Sequence, residues 1–206
     1  MANIEHFRVL KEALKKAKIG IWNRWREDNP EVTPDLRKAK LRGAVLREAN
    51  LSRADLRGAN LKNARLLGAN LNNANLAITN LRNADLAAAS LNKSMLALAN
   101  LRKAHLVGAH LARAYLIKAN LRGANLCDAN LCNAVLRGVN LTQADLIETN
   151  LYAADLQDVT GLPSQIRSAR NWGKAFYGPE MLRSLGLPPD HNDRLKKVLD
   201  EEHTEK

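Results

Sequence analysis

Residues 49–70 read ANLSRADLRGANLKNARLLGAN, with leucines at 51, 56, 61 and 66, five apart. The beat runs outward in both directions without a miss. Leu occupies every fifth position from Leu36 to Leu156, 25 in all. Two residues before each, Ala fills 20 of the 25 slots, and the exceptions Pro34, Thr79, Ser94, Val139 and Thr149 are all compact. A period of five suits neither regular element. On an α-helix each step of five advances ~500°, which spirals the leucines around every face. On a flat strand an odd period sends successive leucines to opposite faces. The pattern works only if the backbone turns once per pentapeptide and keeps every Leu and Ala inside a coil.

The corner can be placed. Gly43, Gly58, Gly68, Gly108, Gly123 and Gly138 all fall two residues after a register leucine, and Asn63, Asn73, Asn83 and Asn133 share that slot. Gly and Asn accept positive φ, which the third position of a type II turn requires. The turn is therefore Leu–x–Gly/Asn–Ala. A second period sets the number of sides. The residue before leucines 41, 51 and so on to 151 is Asn in 9 of 12 cases, whereas before the intervening leucines it is Asn in 2 of 12 and Asp in 4. Alternate sides differ, so the number of sides is even, and four is the smallest even number that closes. One coil is then 20 residues. About six coils stacked at the ~4.8 Å strand spacing form a rod ~30 Å long.

The uninterrupted Ala-Asn/Asp-Leu-x-x series resembles the pentapeptide repeat proteins. The resemblance covers residues 34–158 and implies an all-β solenoid, a right-handed quadrilateral β-helix. The flanks IWNRWREDNPEVTPDL (21–36) and RNWGKAFYGPEMLRSLGLPP (170–189) are similar to those of cyanobacterial members. Three regions are expected: an N-terminal helical cap (1–33), the repeat rod (34–160) and short C-terminal helices with a tail (161–206). Phe7, Leu10, Leu14, Ala17, Ile21 and Trp25 recur at three- and four-residue steps, which predicts one amphipathic helix over 4–27, stopped by Pro30 and Pro34. An open coil end presents unpaired backbone groups, so this helix is expected to cover the first coil with Trp22 and Trp25. At the other end the period slips at Gly161–Leu162, and Trp172, Phe176, Tyr177 and Met181 are expected to form the second cap. After Pro189 the chain reads as a helix or a loose tail.

Composition excludes several classes of function. Only 8 of 206 residues are aromatic while 35 are leucine, so the interior is aliphatic. Two cysteines, Cys127 and Cys132, are too few for a disulfide scaffold and fall on successive sides, out of bridging reach. No secretory leader is evident in the first 20 residues, and no apolar run approaches the ~18 residues of a spanning helix. A cytoplasmic location is expected. The five histidines (His6, His105, His110, His191, His203) are scattered without a carboxylate or cysteine cluster, and no phosphate loop or nucleophile triad is visible. No catalytic, cofactor or metal site is therefore expected.

Function must lie on the outer surface. Stacking by 20 lines up Arg42, Lys62, Arg82, Arg102 and Arg122, followed by Thr142. This column is either a candidate site for an anionic partner or a solvated edge that keeps the rod soluble. Residues 36–156 hold 17 basic and 7 acidic side chains, so most of the formal net charge of +11 belongs to the rod. Another side is apolar on the outside: Ile78, Met95, Leu98, Tyr115, Ile117 and Val135, with Ala77 and Ala97 between them. Three occupants are open for that face: a second copy, a different protein, or a flanking helix of the same chain. A thinner stripe (Leu67, Ala87, Val107, Cys127, Ile147) falls on the opposite column.

The leading expectation is a non-catalytic interaction scaffold for a protein partner, with a homodimer among the options. Nucleic-acid binding through the basic column is the alternative, weakened because Tyr115 and Tyr152 are the rod's only outward aromatics. The resemblance also implies a third option, since some pentapeptide repeat proteins protect type II topoisomerases by imitating duplex DNA. That role needs acidic faces and is disfavoured by the basic rod.

Overall fold

The computed structural model describes residues 3–161 and 164–204. All 25 register leucines are buried, at 2% exposure or less. The residue two positions after each one has a positive φ, from 51° to 68°. The Ala-slot N–H then donates back to the Leu carbonyl at 2.8–3.1 Å, closing the corner expected from the glycines. Residues 20 apart face each other as parallel bridges, from Asp35↔Asp55 to Asn150↔Arg170. Four sides therefore make one coil. The first side occupies residues 34–38, 54–58 and onward to 154–158; the second begins at 39–43, the third at 44–48 and the fourth at 49–53.

Pairing is confined to one residue per side, so most of the rod carries isolated bridges in place of extended strands. A pentapeptide that spends two residues on its turn has little length left for a strand. The exceptions are β1 (Asp155–Leu156) and β2 (Phe176–Tyr177), which pair in parallel at the C-terminal end.

Every backbone N–H of the unit 79–83 has a partner. Asn80, Leu81 and Asn83 donate to Ala59, Asn100 and Arg102 in neighbouring coils, and Thr79 closes the turn on Leu76. The fifth, from Arg82, goes to the Asn80 side-chain Oδ1 at 3.2 Å. This explains the Asn/Asp preference before each leucine: the short side chain caps the one N–H that stacking leaves over. The buried hydroxyls of Thr79 and Thr149 donate to the Leu56 and Leu126 carbonyls, so these exceptions in the Ala slot leave no orphan.

The N-terminal segment forms two helices, where the apolar spacing predicts one. The first, α1 (Ile4–Lys15), ends with Ala17 in the left-handed region and the Lys18 N–H closing on Ala13. The second, α2 (Gly20–Asp28), lies against the first coil. The Trp22 indole donates to the Asn50 carbonyl at 2.8 Å, and Arg26 donates to Ser52 and Val32. Asn23 Oδ1 accepts from the Asn50 N–H while its amide donates to Glu48. Side chains of α2 thus make hydrogen bonds that a preceding coil would otherwise make. On the first side, the Asn3 backbone N–H donates to the Asp35 carbonyl, and the His6 Nδ1 accepts from the Asp35 N–H.

At the far end the ladder becomes irregular. Leu151 donates to the Arg170 carbonyl and Ala153 to that of Lys174; short 3₁₀ turns at Ser164–Ser168 and Trp172–Lys174 lie on either side of Arg170. Leu162, where the period slips, lies outside the described residues. Next come α3 (Pro179–Leu185) and α4 (His191–Thr204), so the segment after Pro189 is helical. Asn192 of α4 exchanges hydrogen bonds with the Tyr177 backbone, and His191 Nε2 lies 3.0 Å from the Ala175 carbonyl oxygen.

Candidate functional site

Because Leu and Ala fill the coil, the outward positions of each side carry whatever the rod presents. On the first side these form seven levels. Levels one and two (Asp35, Arg37, Lys38; Asp55, Arg57) and levels six and seven (Arg137; Asp155, Asp158) are charged. Arg37 pairs with Asp35 and Asp55, Arg57 with Asp55, and Arg137 with Asp155. The Arg37 side chain, hydrogen-bonded to Asp35, holds that carboxyl below the usual aspartate range.

Between these charged ends the face is apolar apart from Asn75 and the exposed Lys118. Ile78 is 66% exposed, Leu98 57%, Tyr115 50% and Met95 44%, with Ile117 also exposed. Among the described residues no flanking helix buries these five. Val135 differs from the rest. It is half-buried and lines a cavity of ≈ 320 Å³ with Phe176 and, from α4, Asn192, Asp193 and Lys196. Met95, Tyr115 and Val135 also occupy the slot where all 16 Asn and Asp residues along the rod cap a turn N–H. Three consecutive levels forgo that local bond and present apolar side chains outward.

The second side has the opposite character. Its outward residues are Asn, Lys, Arg, Gly, Thr and Gln, with no acid over six levels. The backbone N–H groups of Lys62, Arg82, Arg102 and Arg122 are each held by the Asn two residues earlier. Among the described residues, Arg42, Lys62, Arg82, Arg102 and Arg122 make none of the salt bridges; the rod's carboxylates lie on the first and third sides. Asp128 and Glu148, on the third side, are both engaged by Arg170.

The remaining candidates carry less. The stripe Leu67, Ala87, Val107, Cys127, Ile147 is only partly exposed and is interleaved with Asp85, His105 and Asp145. Val45 continues it and was missed from the sequence, because it sits in the Asn/Asp slot rather than one step after the leucine. Burial pushes the Cys127 thiol up, away from a reactive thiolate. Cys127 and Cys132 are free. Tyr152 is engaged: its hydroxyl donates to Glu202 and Lys174 lies over its ring. Tyr115 is thus the aromatic that the rod leaves free for stacking, among the described residues. No group of three His, Cys, Asp or Glu that could hold a metal occurs among the described residues, and none of their helices is long and apolar enough to cross a membrane.

A sequence model of the pentapeptide repeats, in 8 copies, matches residues 35–66, 64–97, 96–131 and 128–160. Among solved structures the chain is similar to the pentapeptide repeat protein Rfr23 of the cyanobacterium Cyanothece 51142, at 37% identity over 49% of this chain and 63% of that one, with a TM-score of 0.42. It thus spans less than two thirds of that relative. It is similar to a pentapeptide repeat protein of the Arabidopsis thaliana thylakoid lumen, at 33% identity over 47% of this chain and 68% of that one, TM-score 0.46. A third is HetL, a pentapeptide repeat protein involved in heterocyst differentiation regulation in the cyanobacterium Nostoc sp. strain PCC 7120. There the identity is 33% over 68% of this chain and 72% of that one, TM-score 0.38. No curated protein matches the chain.

Proposed function

The chain belongs to the pentapeptide repeat family, whose fold is a right-handed quadrilateral β-helix, and from that premise we propose that it is a non-catalytic scaffold binding a protein partner, and itself, through outward faces of the rod. The rod in this reading is 34–160, about six coils. The segments 1–33 and 161–206 serve as helical caps, and the protein acts in the cytoplasm. Support for the ends comes from the α2 and β2 hydrogen bonds to the first and last coils.

One observation carries the interface reading: the exposed apolar stretch Ile78, Met95, Leu98, Tyr115, Ile117 in the middle of a side whose ends are charged. Outward solenoid positions are mostly polar, and a contiguous apolar patch with a polar rim is the layout of an interface core. The double variant Met95→Glu plus Ile117→Glu tests it. Both positions are outward, so the fold should survive while partner capture from native extract falls at least tenfold. Unchanged capture together with an unchanged elution volume would remove this face as an interface.

A second reading has its own observation, the column of five cations on the second side, Arg42 to Arg122, which make none of the salt bridges among the described residues. That column suits a polyanion, nucleic acid included. Imitation of duplex DNA stays disfavoured, because it needs the opposite sign of charge.

A further inference from the structure

Resting on the interface reading above, we infer that the apolar first side pairs with the same side of a second copy, antiparallel, about a twofold axis at the level of Met95, Ala97 and Leu98. A twofold contact needs a self-complementary face. Reversing one rod about that axis sets level one against seven, two against six and three against five, while each column stays opposite itself. The bulky fifth level, Tyr115 and Ile117, then meets the third, where the matching positions are Asn75 and Ala77. Ile117 fills the hollow that Ala77 leaves, Ile78 lies against the aliphatic stem of Lys118, and the fourth level closes on itself across Ala97. At the ends Lys38 comes opposite Asp158, both exposed, while Asp35 comes opposite Asp155, each already held by its own Arg37 or Arg137. Arg57 comes opposite Arg137, each already held by its own Asp55 or Asp155.

The parallel alternative fails on shape. It sets the fifth level against itself, bulk on bulk, and leaves the third-level hollows empty. Charge along the rod favours the same choice. Residues 36–120 hold 15 basic and 3 acidic side chains, whereas residues 121–161 hold 2 basic and 5 acidic. Antiparallel rods put the acidic end of each beside the basic end of the other.

The face is narrow, about 30 Å by 10 Å from the strand spacing and rise. That is less than the ~800 Å² per partner of a standard interface. The pairing is therefore concentration dependent. Sedimentation equilibrium of the full chain between about 1 and 100 µM should show the average mass rising from one chain towards two. Facing sheets lie ~10 Å apart, beyond disulfide reach, so the register is read with a short bis-maleimide. In a Cys127→Ser, Cys132→Ser background, A97C should link to itself, and A77C should link to I117C in a mixture while neither links to itself.

A mass that stays at one chain at 100 µM overturns the inference, as does self-linking of A77C or I117C. The two readings separate cleanly. A monomer whose partner capture still falls in the Met95→Glu, Ile117→Glu variant sinks the pairing and leaves the interface. A dimer with the stated links and unchanged capture sinks the separate protein partner and leaves the pairing.

Discussion

Ile78 holds a φ of 59°, a conformation that a β-branched side chain adopts only under strain. Ten of the 25 corner positions are Gly or Asn, which tolerate it; the others, Ile78 and Leu98 among them, accept the strain because stacking on both sides fixes the turn. An exposed, strained, apolar residue makes sense where it binds something. Ile78→Asn should therefore stabilise the monomer by up to about 1 kcal/mol by relieving left-handed strain. In the same protein it should weaken self-association, so urea unfolding and sedimentation would move in opposite directions. A loss of stability in Ile78→Asn would show that its packing outweighs its strain. The corner itself was legible from glycines and asparagines alone. The capping role of the Asn/Asp before each leucine was not, because its target N–H is orphaned only once stacking has claimed the others.

At the first coil, side chains of α2 hold backbone groups that have no preceding coil to bond. Arg26 is 4% exposed, and its guanidinium donates to Val32 at 2.7 Å and to Ser52 at 3.2 Å. Arg26→Met keeps much of the volume and removes both bonds, so about 1.5–3 kcal/mol should go with each charged bond it fails to replace. Hydrogen exchange should then quicken at the amides of residues 50–55 before the middle coils respond; uniform exchange along the rod would count against α2 as a local cap. At the other end a Cβ on Gly161 would lie 2.1 Å from Thr142 Oγ1 and 2.7 Å from its Cα, with φ at +62°. Gly161→Ala should lower stability by more than about 1 kcal/mol from the left-handed backbone alone, read from the denaturation midpoint. Trp22 and Tyr177 could be anticipated as buried anchors from their apolar surroundings. Asn23 and Arg26 could not, since polar residues of a short helix carry no periodic signal of what they touch.

Over the whole molecule the two sides with opposite character adjoin one another: an apolar first side and an acid-free second side bearing the Arg42–Arg122 column. If the column binds nucleic acid, all five cations engaging phosphates would give a log–log salt slope near −4.5 and a loss of several hundredfold between 50 and 200 mM salt. A mobility-shift titration at those two concentrations reads this directly. Absence of binding at the lower one would dispose of the nucleic-acid reading, and neutralising Arg82, Arg102 and Arg122 should flatten the slope by about 3. At high pH the C-terminal end has its own limit. Glu202 pushes the Tyr152 hydroxyl up to about 12, so the neutral tyrosine that donates to it persists below pH 10 and is lost as pH rises through 12.

The sequence by itself determined the coil, the corner and the buried ladder, because each is set by a turn closed within four residues and repeated 25 times. It also determined the columns, since a 20-residue coil fixes which side chains stack. Only the tertiary structure decided that the N-terminal apolar stretch breaks into two helices, that Val135 is half-covered by the C-terminal segment, and that no helix among the described residues buries the rest of the apolar face. Those outcomes depend on contacts between segments far apart in the chain, made by single polar side chains at the coil ends, and no local period encodes them.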